Sequence, residues 1–146
     1  MRLSGEWLQC ADGDIRPIVR GAMLGGDGIW RTLEFLVDTG ADRTVVSATV
    51  LLASNLPTFM PSKCLGGIGG VVETVVVESQ FRIVRDDGVY ACFRGQFAAC
   101  THVEALDMSI LERDILDMFA LIIDRRADVV AILGGHHSYT IQHRAP

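Results

Sequence analysis

Three Asp-Gly pairs punctuate the chain, Asp12-Gly13, Asp27-Gly28 and Asp87-Gly88, and they constrain the fold more than any other feature. A tight hairpin needs backbone at positive φ, which Asp-Gly supplies at little cost. Short apolar or alternating runs flank two of these pairs. Segments 16–20 and 29–37 read as strands joined through Gly25-Gly26-Asp27-Gly28, and segments 81–84 and 89–93 as a hairpin around Asp86-Asp87-Gly88. Further strands are predicted over 44–47, 96–103, 120–124, 129–133 and 139–142. Residues 63–77 are β-like but interrupted by Gly66-Gly67-Ile68-Gly69-Gly70. Four glycines cost too much backbone entropy for an element interior and suit a hairpin tip. Segment 48–55 reads as a short helix ended by Pro57, and the strongest helical spacing, Ile115, Leu116 and Phe119, predicts a helix over 113–119. The expected fold is mainly β and barrel-like, with one short helix near the C-terminus.

At 146 residues the chain matches one domain and leaves no room for a two-lobed enzyme. Thirteen basic against eighteen acidic residues give a net charge of −5, which argues against nucleic acid as a partner. No apolar run has the length of a membrane span. The N-terminus lacks the apolar core and cleavage site of a secretory signal, so the expected compartment is cytoplasmic. Cys10, Cys64, Cys92 and Cys100 form no Cys-x-x-Cys pair and read as small hydrophobes. His136 and His137, adjacent on a strand, would face opposite sides and could not share a metal. His102-Val103-Glu104 lacks the Pro-Cys-x-x-Cys of a zinc deaminase. The glycine cluster lacks the Lys-Ser/Thr of a phosphate loop, and no Gly-x-Ser-x-Gly elbow is present.

The sharpest chemical feature is Phe35-Leu36-Val37-Asp38-Thr39-Gly40-Ala41. An apolar strand delivers a carboxylate into a turn, where a hydroxyl and then a glycine follow. Taken alone, Asp38 could simply hydrogen-bond its own turn. An Asp at the mouth of a buried strand is equally a group whose environment can tune it for acid–base chemistry.

Three segments in order resemble the retropepsin family, the retroviral-type aspartic proteases, in the form of a single-domain bacterial member. They are 35–46 with Asp38-Thr39-Gly40-Ala41-Asp42, the glycine-rich 65–71, and Ile110-Leu111-Glu112-Arg113-Asp114-Ile115-Leu116. The resemblance divides the chain into an N-terminal extension, 1–14, and a retropepsin-like acid-protease barrel, 15–146. It implies an aspartic endopeptidase that works as a homodimer on peptide or protein substrates, with no metal or cofactor. Asp38 would be the catalytic aspartate, Thr39 would tie the two active-site loops together, and Gly40 would offer its carbonyl to substrate. Ala41 and Asp42 would line the substrate, with Asp42 paired to Arg113 in support of the dimer. Gly67, Ile68 and Gly69 would form the tip of a flap, and the strand at 139–142 would join the dimer interface.

Glu112 departs from the family pattern, which has glycine at this position. A side chain there either points to solvent or distorts the loop around Asp38, and the alternative reading is a weak or inactive binding or scaffold dimer of the same fold. Ala41 lacks the hydroxyl that a serine would donate to the carboxylate, so nothing at that position favours the ionised form. Cleavage is therefore expected to persist at mildly acidic to near-neutral pH. A pH–rate profile on a peptide substrate checks this, and a peak near about pH 3 with activity gone by about pH 5 would contradict it.

Overall fold

The computed structural model describes residues 1–60, 65–67 and 70–135. The strands are β1 (Arg2–Ser4), β2 (Glu6–Gln9), β3 (Ile15–Leu24), β4 (Trp30–Val37), β5 (Val45–Val46), β6 (Thr58–Phe59), β7 (Leu65–Gly67), β8 (Gly70–Val72), β9 (Thr74–Val84), β10 (Tyr90–Cys100), β11 (Ser109–Leu111), β12 (Ala120–Asp124) and β13 (Val129–Leu133). Two short helices, α1 (Ala48–Ser54) and α2 (Arg113–Leu116), interrupt them. No helix among the described residues is long and apolar enough to cross a membrane.

The main sheet runs β2-β3-β4-β11-β5-β10-β9-β6, and a second pairing of β3 with β9 closes its centre into a barrel. A separate three-stranded sheet, β1-β13-β12, carries the N-terminal strand. Closure leaves only β2 and β6 appended at its margins, which limits exposed strand edges. All three Asp-Gly pairs lie in turns with the glycine at positive φ: 90° at Gly13, 78° at Gly28 and 82° at Gly88.

The core follows from the period-two alternation of the strands. On β4, Leu33, Phe35 and Val37 point inward and are buried. Phe81 on β9 sits at the centre, 4.8 Å from the Phe35 ring, 4.8 Å from Phe93 and 5.3 Å from Phe97. Leu3 is fully buried, so β1 contributes to the core as well as to its sheet.

The end of the β-like stretch expected over 63–77 and the strand expected over 81–84 form one eleven-residue strand, β9, and those expected over 89–93 and 96–103 form its eleven-residue partner, β10. Register runs unbroken from Tyr90↔Val84 to Cys100↔Thr74, so Gly95, opposite Ser79, does not interrupt the ladder. The helix expected over 113–119 spans only Arg113–Leu116. The next turns close through shorter bonds, Met118 N–H to the Ile115 carbonyl and Phe119 N–H to the Leu116 carbonyl, and β12 begins at Ala120. The strand expected at 139–142, with His136 and His137, lies outside the described residues.

One topological detail positions the rest. β11 lies between β4 and β5, parallel to β4 and antiparallel to β5. The chain that leaves β4 after Val37 therefore crosses the end of β11 before it re-enters the sheet at Val45.

Candidate active site

That crossing is residues 38–44, and the end it crosses is Leu111, Glu112, Arg113 and Asp114. The parallel register pairs Leu111 with Val37. One step on, Asp38 N–H donates to the Leu111 carbonyl at 3.1 Å, and Glu112 continues in extended backbone at φ −119°. The Asp38 carboxylate accepts the Gly40 N–H at 2.8 Å, which folds the turn back on its own side chain. A Cβ built on Gly40 would fall 3.0 Å from Asp38 Oδ1, so glycine keeps this approach open.

Five further bonds fix the turn from behind. Ala41 N–H donates to Glu112 Oε2 at 2.8 Å. Arg113 Nη2 donates to Asp42 Oδ1 at 2.5 Å. Asp114 Oδ1 accepts from Thr44 twice, from the N–H at 2.9 Å and from the hydroxyl at 2.6 Å. The same hydroxyl accepts the Glu112 N–H at 3.1 Å. Thr44 is thus buried with its hydrogen-bonding capacity used in both directions. Below this layer Ser47 N–H donates to Ser109 Oγ at 3.0 Å, holding the start of α1 to β11.

Two environments meet at this point. Asp38 is half-buried, and Thr39, Gly40, Ala41 and Asp42 are exposed on the single chain. Glu112 is 3% exposed. Burial pushes the Glu112 carboxyl above the usual carboxylate range. The Ala41 N–H pulls it back, the nearby charges of Asp38 and Asp114 push it further up, and Arg113 opposes them. Of the two expectations for Glu112, exposure to solvent is corrected: its side chain turns inward and bonds to the loop at Ala41. Elsewhere, burial pushes the Cys100 thiol up, away from a reactive thiolate.

Of the residues singled out from sequence, Asp38, Thr39, Gly40, Ala41, Asp42 and Arg113 come together in this one place. β7 and β8 form an antiparallel ladder that ends at Gly67↔Gly70, while Ile68 and Gly69 lie outside the described residues. Thr44, Ser109 and Asp114 carried no assigned role in the sequence reading. The spacing of 38–44 against 111–114 is the signal that links Thr44 and Asp114 to the turn. His102 lies at the surface, 3.4 Å from Glu73.

Comparison with known proteins gives a consistent picture. The family model for retroviral aspartyl protease matches residues 14–123. Among solved structures, the EIAV protease complexed with the inhibitor HBY-793 is 24% identical, with a TM-score of 0.53 over 70% of this chain and 86% of that one. A retropepsin-like aspartic protease from Rickettsia conorii is 15% identical, with a TM-score of 0.52 over 90% of this chain and 86% of that one. Both likenesses concern the fold. No curated protein matches the chain.

The Thr44 hydroxyl predicts a measurable cost. Thr44→Val keeps the shape but removes one partner each from the Glu112 amide and the Asp114 carboxylate. Urea unfolding should show a loss of about 1–3 kcal/mol. A variant as stable as the parent protein would show that these bonds do not hold the turn.

Proposed function

The chain belongs to the retroviral aspartyl protease family, and from that premise we propose that two copies assemble into an aspartic endopeptidase, each giving one Asp38 to a shared site. The observation that carries the reading is the Asp38 turn, whose backbone amides are held by Leu111, Glu112 and Asp114 while its carboxylate is half-buried and Thr39 to Asp42 are left exposed beside it. One such turn exists in the sequence, and the chemistry needs two.

Two like carboxylates in contact cannot both ionise and so share a proton, the behaviour for which aspartic proteases are the known example. The ionised Asp38 takes a proton from water, and the water oxygen bonds to the carbonyl carbon of the substrate. The protonated Asp38 of the partner gives its proton to the carbonyl oxygen. The tetrahedral intermediate then collapses: a proton passes to the amide nitrogen, the C–N bond breaks, and a carboxylic acid and an amine leave. The pair titrates as a unit.

Within this assembly Thr39 hydrogen-bonds across the two turns, and the Gly40 carbonyl accepts from substrate backbone. Ala41 and Asp42 line an extended peptide. Arg113 holds Asp42 in place, consistent with the 2.5 Å pair between them. The β7–β8 ladder, which ends at Gly67↔Gly70, belongs to the flap that closes over the substrate in this reading. Apolar side chains flanking the cut are favoured on this reading.

A peptide-library cleavage assay tests this. Asp38→Asn should lower cleavage by roughly 10³-fold or more while the circular dichroism spectrum and melting temperature stay close to those of the parent protein. Equal rates from the two proteins would overturn the proposal. Peptide binding without cleavage by the parent protein would favour a scaffold instead.

A further inference from the structure

Glu112 is the one charged side chain among the described residues that the fold fully buries. Removing a carboxylate from water costs several kcal/mol unless bonds and charges repay it. Where the family pattern has glycine, this chain buries a carboxyl and aims it at one backbone amide, that of Ala41, three residues after Asp38. The parallel register of β4 and β11 places Glu112 beside Asp38, one step past the Val37–Leu111 pair.

Resting on the proteolytic reading above, we propose that Glu112 is a positioning residue of the site. Its carboxylate fixes the Ala41 amide, and with it the turn that carries Asp38.

The bond to Ala41 is charge-assisted only while Glu112 is ionised, so protonation loosens the turn. The charged groups that act on Glu112 are Asp38 from the turn and Asp114 and Arg113 from α2.

Two variants separate position from charge. Glu112→Gln keeps an oxygen that can accept the Ala41 N–H but does not titrate, while Glu112→Gly removes both. The first measurement is the Ala41 amide proton shift against pH by NMR, in an Asp38→Asn background that removes the titration of Asp38 itself. We expect a step with its midpoint above the 4.5 of an ordinary glutamate, abolished by Glu112→Gln. No step, or the same step in the Gln variant, would overturn the assignment.

The second measurement is the pH–rate profile with Asp38 intact. Glu112→Gln, which keeps an acceptor for the Ala41 N–H but does not titrate, should remove the part of the acid-side fall in rate that follows protonation of Glu112. Glu112→Gly should lower kcat further than Glu112→Gln does, with the smaller change in KM. A Gln profile that superimposes on that of the parent protein would overturn the role of the charge. If the parent protein cleaves nothing, the proteolytic reading fails by itself, and the Ala41 titration still decides whether Glu112 holds the turn.

Discussion

The insertion of β11 between β4 and β5 is the constraint on which the rest of the molecule depends. It sends residues 38–44 across the end of a foreign strand, and that strand end supplies the partners for the crossing. Backbone amides in such a crossing have no ladder of their own and must find acceptors elsewhere. Here they find the Leu111 carbonyl, the Asp38 carboxylate itself, Glu112 and Asp114 in turn. A turn fixed at this many points can hold one reactive carboxylate in a defined direction while its outer face stays open. Such fixing before substrate arrives is what catalysis by positioned groups requires.

Much of this was legible in the residues, and the parts that were not share a cause. The Asp-Gly turns are local, and each glycine adopts the positive φ that the pair demands. The Asp38 turn is local too, and its motif carried the family resemblance before any geometry was known. The extents of β9 and β10 were not legible, because Gly95 and the polar residues around it look like a break until eleven cross-strand pairs outweigh them. The place of β11 was also hidden. Three residues, Ser109-Ile110-Leu111, carry no periodicity, and their position between β4 and β5 is a non-local choice. Glu112 was misjudged for a similar reason. Glutamate is almost never fully buried unless paired, and its partner here is an amide 71 residues away.

The single chain carries one Asp38 turn, and that turn is open on one side. Two surface grooves among the described residues, one along β3, β4 and β9 and one beside β6 and the middle of β9, are not lined by any of residues 38–44. The exposed residues around Asp38 make sense as a face that a second copy completes. On this account the fold builds half of a catalytic apparatus to high precision and leaves the other half to assembly.

The measurement that tests this most directly is the initial rate of peptide cleavage against protein concentration, with the mass of the species in solution followed by sedimentation. If two chains make one site, the rate rises with the square of concentration where monomers dominate and becomes proportional as dimers saturate. A rate strictly proportional to concentration while the protein sediments as a monomer would contradict the account.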